Sequence, residues 1–278
     1  MNTFEFSALV GGGAFVAGLL GAMTGLGGGV VLVPLLTTVF GVDIRYAVGA
    51  SLVSVIATSS GAAAAYVREG FSNIRVGMLL EVATTLGALG GAYAAGILST
   101  TAIGTVFGIV MLYSAWLSTS PPADRLEPRP PDPLAVRLRL DSSFPGPDGP
   151  VAYHVRNVPA GFLLMLLAGV LSGLLGVGSG ALKVLAMDRA MMLPFKVSTT
   201  TSNFMMGVTA AASAGVYLHR GYINPGLSMP LMLGVLAGAT VGARILPAAR
   251  PRHLRLVFAA VIVVLGVQML VQSLSGRL

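Results

Sequence analysis

Cysteine is absent from this 278-residue chain. That excludes disulfides, thiolate metal sites and thiol nucleophiles, and leaves the compartment open. Charge is scarce too: Asp, Glu, Lys and Arg make up 10% of the residues, against about 25% in soluble domains. The three histidines, His154, His219 and His253, all lie beside loops, so no metal cluster is indicated and no metal is expected. No nucleotide-binding motif is present, so no cofactor is expected. Any energy source is then an ion gradient, the membrane potential or the substrate's own gradient.

What the chain has is apolar length. Hydrophobic residues fill 55% of the positions and the mean hydropathy is +0.85. Phe6 to Val42 and Leu256 to Ser275 carry no charge, and a run of 18 or more such residues reads as a membrane span. The net charge of +7 does not point to nucleic acid, because the arginines sit between apolar runs, as topology signals do. The partners expected are the lipid bilayer and a small anionic substrate, with a homodimer as a candidate assembly. The first run has no basic leader before it and is too long for a signal peptide, so it reads as a span.

Spans are predicted near 6–41, 46–67, 76–98, 101–119, 158–187, 197–218, 227–246 and 254–274. The polar segment 120–157, with "PPADRLEPRPPDP" and "FPGPDGP", reads as an exposed linker on the cytoplasmic side. It separates a first transmembrane repeat, 6–119, from a second, 158–275. Adding 151 to a residue number carries Gly25, Gly27 and Gly29 onto Gly176, Gly178 and Gly180. The same shift carries Ser51 onto Ser202, Thr58 onto Thr209, Tyr66 onto Tyr217 and Asn73 onto Asn224, and Gly87 and Gly91 onto Gly238 and Gly242. Duplication of this kind is a common plan for secondary transporters.

The cations test how the copies are oriented, since Lys and Arg collect in short cytoplasmic loops. If each apolar run crosses once, they divide almost evenly. If 6–41 and 158–187 instead go in, break at their glycines and return, one side holds Arg68, Arg75, Arg125, Arg129, Arg137, Arg139, Arg156, Arg189, Lys196, Arg250, Arg252 and Arg255. The other side holds only Arg45, Arg220 and Arg277. Length agrees: 36 residues of straight helix would reach about 54 Å, against about 30 Å of hydrocarbon. The expected fold is an all-α polytopic membrane protein of two inverted repeats. Each repeat has about four hydrophobic segments, the first broken at a glycine motif.

A break inside a membrane frees backbone groups, and the half-helix that starts after it points NH donors and a positive dipole end inward. Gly27, Gly28 and Gly29 supply such a start in the first copy, and Gly178, Ser179 and Gly180 in the second. Lys183 lies about one turn further on. Its alternatives are an anion ligand or a lysine that snorkels to an interface; Leu32 stands at its place in the first copy. Ser51, Ser202 and Asn203 add hydroxyls and an amide from the following helix; these either replace the hydration of an oxyanion or bond carbonyls of their own or a neighbouring helix. Glu81 either carries a coupling proton or pairs with a cation, or is an interfacial carboxylate near Arg75.

The stretches "GLLGAMTGLGGGVVLVPLL", "AVGASLVSVIATS", "LLGVGSGALKV" and "KVSTTTSNFMMGVTAAASAGVYLHRGYINP" resemble the TauE/SafE family of membrane permeases, the sulfite exporters. The resemblance covers about residues 10–119 and 160–275. It implies a permease moving small sulfur-containing anions, such as sulfite or organosulfonates, across a prokaryotic cytoplasmic (inner) membrane. The chain departs from the family pattern at "GVGSG", at "KVLAM", which has no proline where the first copy has "LVPLL", and in its long linker. Two other readings stay open from the residues alone. One is a passive anion channel or a membrane subunit of a larger complex. The other, more remote, is an intramembrane hydrolase using Ser179, for which no histidine lies inside a span and Lys183 is the candidate base; the expectation is that the protein is not an enzyme.

Overall fold

The computed structural model describes residues 3–24, 28–68, 70–119, 132–146, 149–245 and 251–276. They are mostly helical. The first half runs α1 (Thr3–Thr24), α2 (Gly29–Pro34), a π-helical turn (Leu35–Val39), α3 (Ile44–Arg68), α4 (Ile74–Ala95) and α5 (Thr100–Thr119). A short α6 (Pro133–Arg137) and a hairpin of β1 (Ser142–Gly146) and β2 (Gly149–Tyr153) follow. The second half runs α7 (Val158–Leu175), α8 (Gly180–Leu185), a second π-helical turn (Ala186–Ala190), α9 (Phe195–His219), α10 (Pro225–Ile245) and α11 (Pro251–Leu274).

The shift of 151 found in the sequence reappears in the backbone. It carries both ends of α2 onto those of α8, both ends of the first π turn onto those of the second, and both ends of α3 onto those of α9. In each copy a carbonyl at the start of the π turn accepts from an NH five residues on, Phe40 to Leu35 at 3.4 Å and Met191 to Ala186 at 3.1 Å. Pro34 precedes the first π turn and Leu185 the second. The turn therefore does not depend on the proline that distinguishes the two copies.

The two long apolar runs fold back on themselves. After α7 ends, Gly176, Gly178 and Ser179 adopt left-handed backbone, with φ of 68°, 72° and 47°, a conformation that glycine accepts without steric cost. The chain then returns: Asn157 Nδ2 donates to Ala190 O at 3.1 Å, and Arg156 NH to Met191 O at 3.1 Å. Residues 190–191 thus lie beside the residues that precede α7. In the first half the Phe6 and Phe40 rings meet edge to face at 5.8 Å, which closes the same kind of hairpin.

Glycine sets how closely the helices approach. A Cβ on Gly87 or Gly91 of α4 would run into the backbone carbonyl of Leu166 or Val170 of α7. One on Gly169 or Gly173 would run into Thr84 O or Ala88 O in return. The same contact holds α1 to α10, where Gly18 faces Val235 O and Gly238 faces Phe15 O. Lipid supplies no hydrophobic drive between helices, so close backbone packing of small residues carries the association. The outer surface is apolar, with Leu86, Leu163, Leu167, Leu233, Val264 and Val271 exposed. In water such a surface is an aggregation liability; in a bilayer it is the lipid face. Three helices, Ile74–Ala95, Val158–Leu175 and Pro225–Gly242, are long and apolar enough to cross a membrane, and shorter apolar helices accompany them.

The polar segment between the halves corrects the expectation of an exposed linker. Its described part is a folded cap. Asp132 caps α6 by accepting from Leu134 NH at 2.9 Å. β1 and β2 pair antiparallel, with Ser142 opposite Tyr153 and Gly146 opposite Gly149. Ala135, Leu140, Tyr153 and Val155 are buried in one cluster with Val76 and Leu80 of α4 and Val197 of α9. Asn73 is the tie. Its Oδ1 caps α4 at Val76 NH, its Nδ2 donates to Leu140 O and to Tyr153 Oη, both at 2.8 Å, and its backbone NH donates to Thr201 Oγ1 at 3.0 Å.

Candidate functional site

The glycine breaks of the two halves meet. The Cβ that Gly29 lacks would stand 3.0 Å from Ser51 Oγ and 3.2 Å from Gly176 O. Ser51 donates its hydroxyl to Gly176 O at 2.9 Å, so α3 of the first half satisfies a carbonyl freed by the break in the second. On α9, Ser202 donates to Gly180 O, at the first residue of α8 in its own half, at 3.3 Å. Gly28 stands at the start of α2, and its carbonyl accepts from Val31 and Leu32 NH, each at 3.1 Å. Ser179 occupies the equivalent place before α8 and makes no side-chain cap there. Asn203 is buried next to Ser202. Gly27 lies outside the described residues. Of the expected residues, Gly29 and Ser51 meet Gly176 of the opposite break, while the Ser51 and Ser202 hydroxyls are spent on backbone carbonyls.

Lys183 does not snorkel: it is 0% exposed. Its ammonium donates to Thr209 Oγ1 of α9 at 2.6 Å. An ammonium has no acceptor lone pair, so the threonine must accept there. Its own proton is then free for Glu81 Oε1 of α4 at 2.7 Å, with Met205 O at 3.0 Å as its second acceptor. Thr85 Oγ1 donates to the same Glu81 oxygen at 3.1 Å. The other oxygen, Oε2, is buried with no hydrogen-bond partner among the described residues. A lysine and a carboxylate are thus joined through one hydroxyl, across the boundary between the halves.

The composition of the surroundings explains why such a group persists. Isolated burial of either charge costs several kcal/mol or more, and a partner offsets much of that. Of the two readings of Glu81, the structure excludes the interfacial one near Arg75: Glu81 turns inward, and Arg75 donates to Arg139 O in the cap at 3.0 Å. Thr209 is the residue that sequence reasoning passed over. Its only signal was the match with Thr58 under the shift of 151. The bond from Lys183 also bears on Ser179: the amine that would have to activate it is engaged with Thr209.

With this geometry in hand, comparison with known proteins decides the family. The model of the family described as "Sulfite exporter TauE/SafE" matches residues 10–269. The chain belongs to the TauE/SafE family. It is similar to "Probable membrane transporter protein YunE" of Bacillus subtilis (strain 168), 26% identical over 267 residues, covering 93% of this chain and 95% of that protein. It is also similar to "Probable membrane transporter protein YjnA" of the same organism, 27% identical over 274 residues, covering 93% and 97%. No solved structure matches. This TauE/SafE member is a multi-pass membrane transporter and not an enzyme.

Proposed function

We propose that the chain is a secondary transporter that moves a small sulfur-containing oxyanion, such as sulfite or an organosulfonate, across a prokaryotic cytoplasmic membrane. The observation that carries this reading is the Lys183 ammonium, wholly buried beside the place where two glycine-broken hairpins meet. A cation buried on the half-helix that starts at the second glycine break, and bonded there to Thr209 Oγ1, offers an oxyanion one fixed positive charge. The family description names sulfite export, which sets the substrate class tested first.

Alternating access follows from the repeats. Each half has a hairpin that returns to its starting side and then three further helices. Three crossings leave the second half inverted relative to the first, the arrangement in which one repeat rocks against the other. The cations fit this sidedness. Arg45 and Arg220 gather at one end with aromatic rings, Arg45 over Tyr222 at 5.9 Å and Arg220 over Tyr93 at 5.3 Å. Arg75 and Arg139 join at the other end, with the cap, which we place in the cytoplasm.

The test is counterflow. Proteoliposomes preloaded with unlabelled sulfite should take up labelled sulfite against no net gradient, and Lys183→Ala should abolish that uptake. A channel gives no counterflow, so net flux without it would overturn the carrier reading.

A further inference from the structure

We propose that Glu81 is a tethered stand-in for the substrate anion: when the anion takes Lys183, the freed Glu81 carboxylate takes a proton, and the two cross together as a proton–anion symport. The inference rests on the transporter reading above and specifies how that site is coupled to energy.

The argument starts from charge. Lys183 and Glu81, bridged by Thr209, form a buried site with zero net charge. A sulfonate that accepts from the Lys183 ammonium would bring a second negative charge into the same low-dielectric space. Two carboxylate-like charges next to one ammonium leave one of them unpaired, and an unpaired buried carboxylate neutralises by protonation. The proton bonds to Glu81 Oε2, the oxygen that is buried with no partner among the described residues. Thr209, released by the lysine, keeps its bond to Glu81 Oε1. The site then holds an ammonium, a sulfonate and a neutral carboxylic acid, and its net charge is again zero. One proton accompanies each monovalent anion, and the cycle moves no net charge.

Among the described residues, no other titratable group competes for this role. α7, packed against α4, has no charged residue. On α9, Lys196 lies over the Phe71 ring at 5.7 Å and His219 ends the helix, while Tyr217 donates to the Gly173 and Leu174 carbonyls. Arg75 is bound to the cap, and Asp188, beyond α8, lies 3.6 Å from Arg189. Among the described residues, Lys183 alone is the charged group that faces Glu81. The repeat-equivalent place makes the same point by contrast: under the shift of 151, Lys183 and Glu81 correspond to Leu32 and Met232, so the pair is not something the backbone requires.

Methanesulfonate suits the test because it holds no titratable proton near neutral pH, so any proton that moves with it is carried by the protein. Proteoliposomes loaded with a fluorescent pH dye are given an inward methanesulfonate gradient, and protons and labelled sulfonate are counted together. Wild type should move one proton per sulfonate, and flux should not respond to a potassium–valinomycin potential. In E81Q the ratio of protons to sulfonate should fall at least about tenfold, a ratio independent of how much protein is active. Protons moving with sulfonate in E81Q, or a wild-type flux driven by the potential, would overturn the proposal. A second measurement does not depend on any substrate. The infrared difference between K183M and E81Q/K183M should show a protonated carboxyl band at neutral pH, because loss of the ammonium leaves Glu81 unpaired. A carboxylate band there instead would overturn the coupling. If methanesulfonate does not cross at all, the sulfonate reading fails and the infrared result alone decides the fate of Glu81.

Discussion

The two halves share a backbone and differ in chemistry at one place. Lys183 of α8 reaches Thr209 of α9, both in the second half, and Thr209 reaches Glu81 of α4 in the first. At the repeat-equivalent place stand Leu32 of α2 and Thr58 of α3 in the first half and Met232 of α10 in the second. Leu32 is 0% exposed, just as Lys183 is, and Thr58 turns its hydroxyl to its own helix, to Ser54 O at 3.0 Å and Val55 O at 3.2 Å. Duplication therefore supplies the frame twice and the charged site once. The lesson is that the fold does not need the ion pair. The pair's desolvation is a burden that an apolar copy of the same site avoids, and a function is the reason to keep it.

The largest expected effect breaks the asymmetry from one side. Lys183→Met leaves Glu81 buried without its cation and should cost about 3–5 kcal/mol of stability, the usual consequence of removing one partner of a buried pair. The double variant Lys183→Leu with Glu81→Met rebuilds the repeat-equivalent apolar pair. It should recover thermal stability to at least the wild-type level while transport stays lost. Thermal unfolding in detergent together with counterflow separates the two effects. A double variant less stable than the single one would mean that the pair is structural.

The next effect should fall equally on both halves. Gly87→Val in α4 and Gly238→Val in α10 are repeat partners, and each puts a Cβ onto a backbone carbonyl, Leu166 O and Phe15 O respectively. Overpacking of this kind costs about 1–3 kcal/mol, and backbone cannot move aside as a flexible side chain would. Melting temperatures should drop by similar amounts in the two variants. A drop confined to one would show that the glycine seams α4–α7 and α1–α10 are not equivalent.

Thr209→Val and Thr58→Val sharpen the comparison at the hydroxyl itself. Thr209→Val removes the hydroxyl that links the two charges and should cost about 1–3 kcal/mol, because it leaves buried charged groups unsatisfied. Thr58→Val removes bonds to carbonyls that are already bonded within the helix and should be nearly neutral. Transport should fall sharply in the first variant and little in the second.

Much of this was legible from residue types and spacing. The shift of 151 was read from glycines, Tyr66, Asn73 and their partners, and it holds to the residue for α2, α3 and the π turn. The hairpins were legible from length and from where the cations lie, because a 36-residue apolar run is too long to cross once. Lys183 was legible because an ammonium in an apolar run is costly wherever it sits. Its partner was not. Glu81 and Lys183 are far apart in sequence and on helices of different halves, so no local pattern links them, and the hydroxyl between them looks like any helix threonine. The cap was hidden for a different reason. Pro, Gly and charge signal a linker by composition, while its burial depends on a few apolar residues, Ala135, Leu140, Tyr153 and Val155, that find Val76 and Leu80 only in three dimensions.

The smallest expected effect tests that cap. Asn73 and Asn224 are repeat partners, and each starts a helix. Asn224 is exposed and its Oδ1 accepts only from Gly226 NH at 2.9 Å. Asn73 is buried, caps α4 and binds Leu140 O and Tyr153 Oη as well. Loss of a helix cap alone costs about 0.5–2 kcal/mol, so Asn224→Ala should fall in that range. Asn73→Ala gives up the same cap and strands a buried carbonyl and a buried phenol, and it should cost about 1 kcal/mol more. Hydrogen exchange then locates the difference. In Asn73→Ala, amides of β1 and β2 should exchange faster while those of α10 do not change. Equal costs in the two variants, with the hairpin still protected, would mean that the cap is held by its apolar cluster and not by the asparagine.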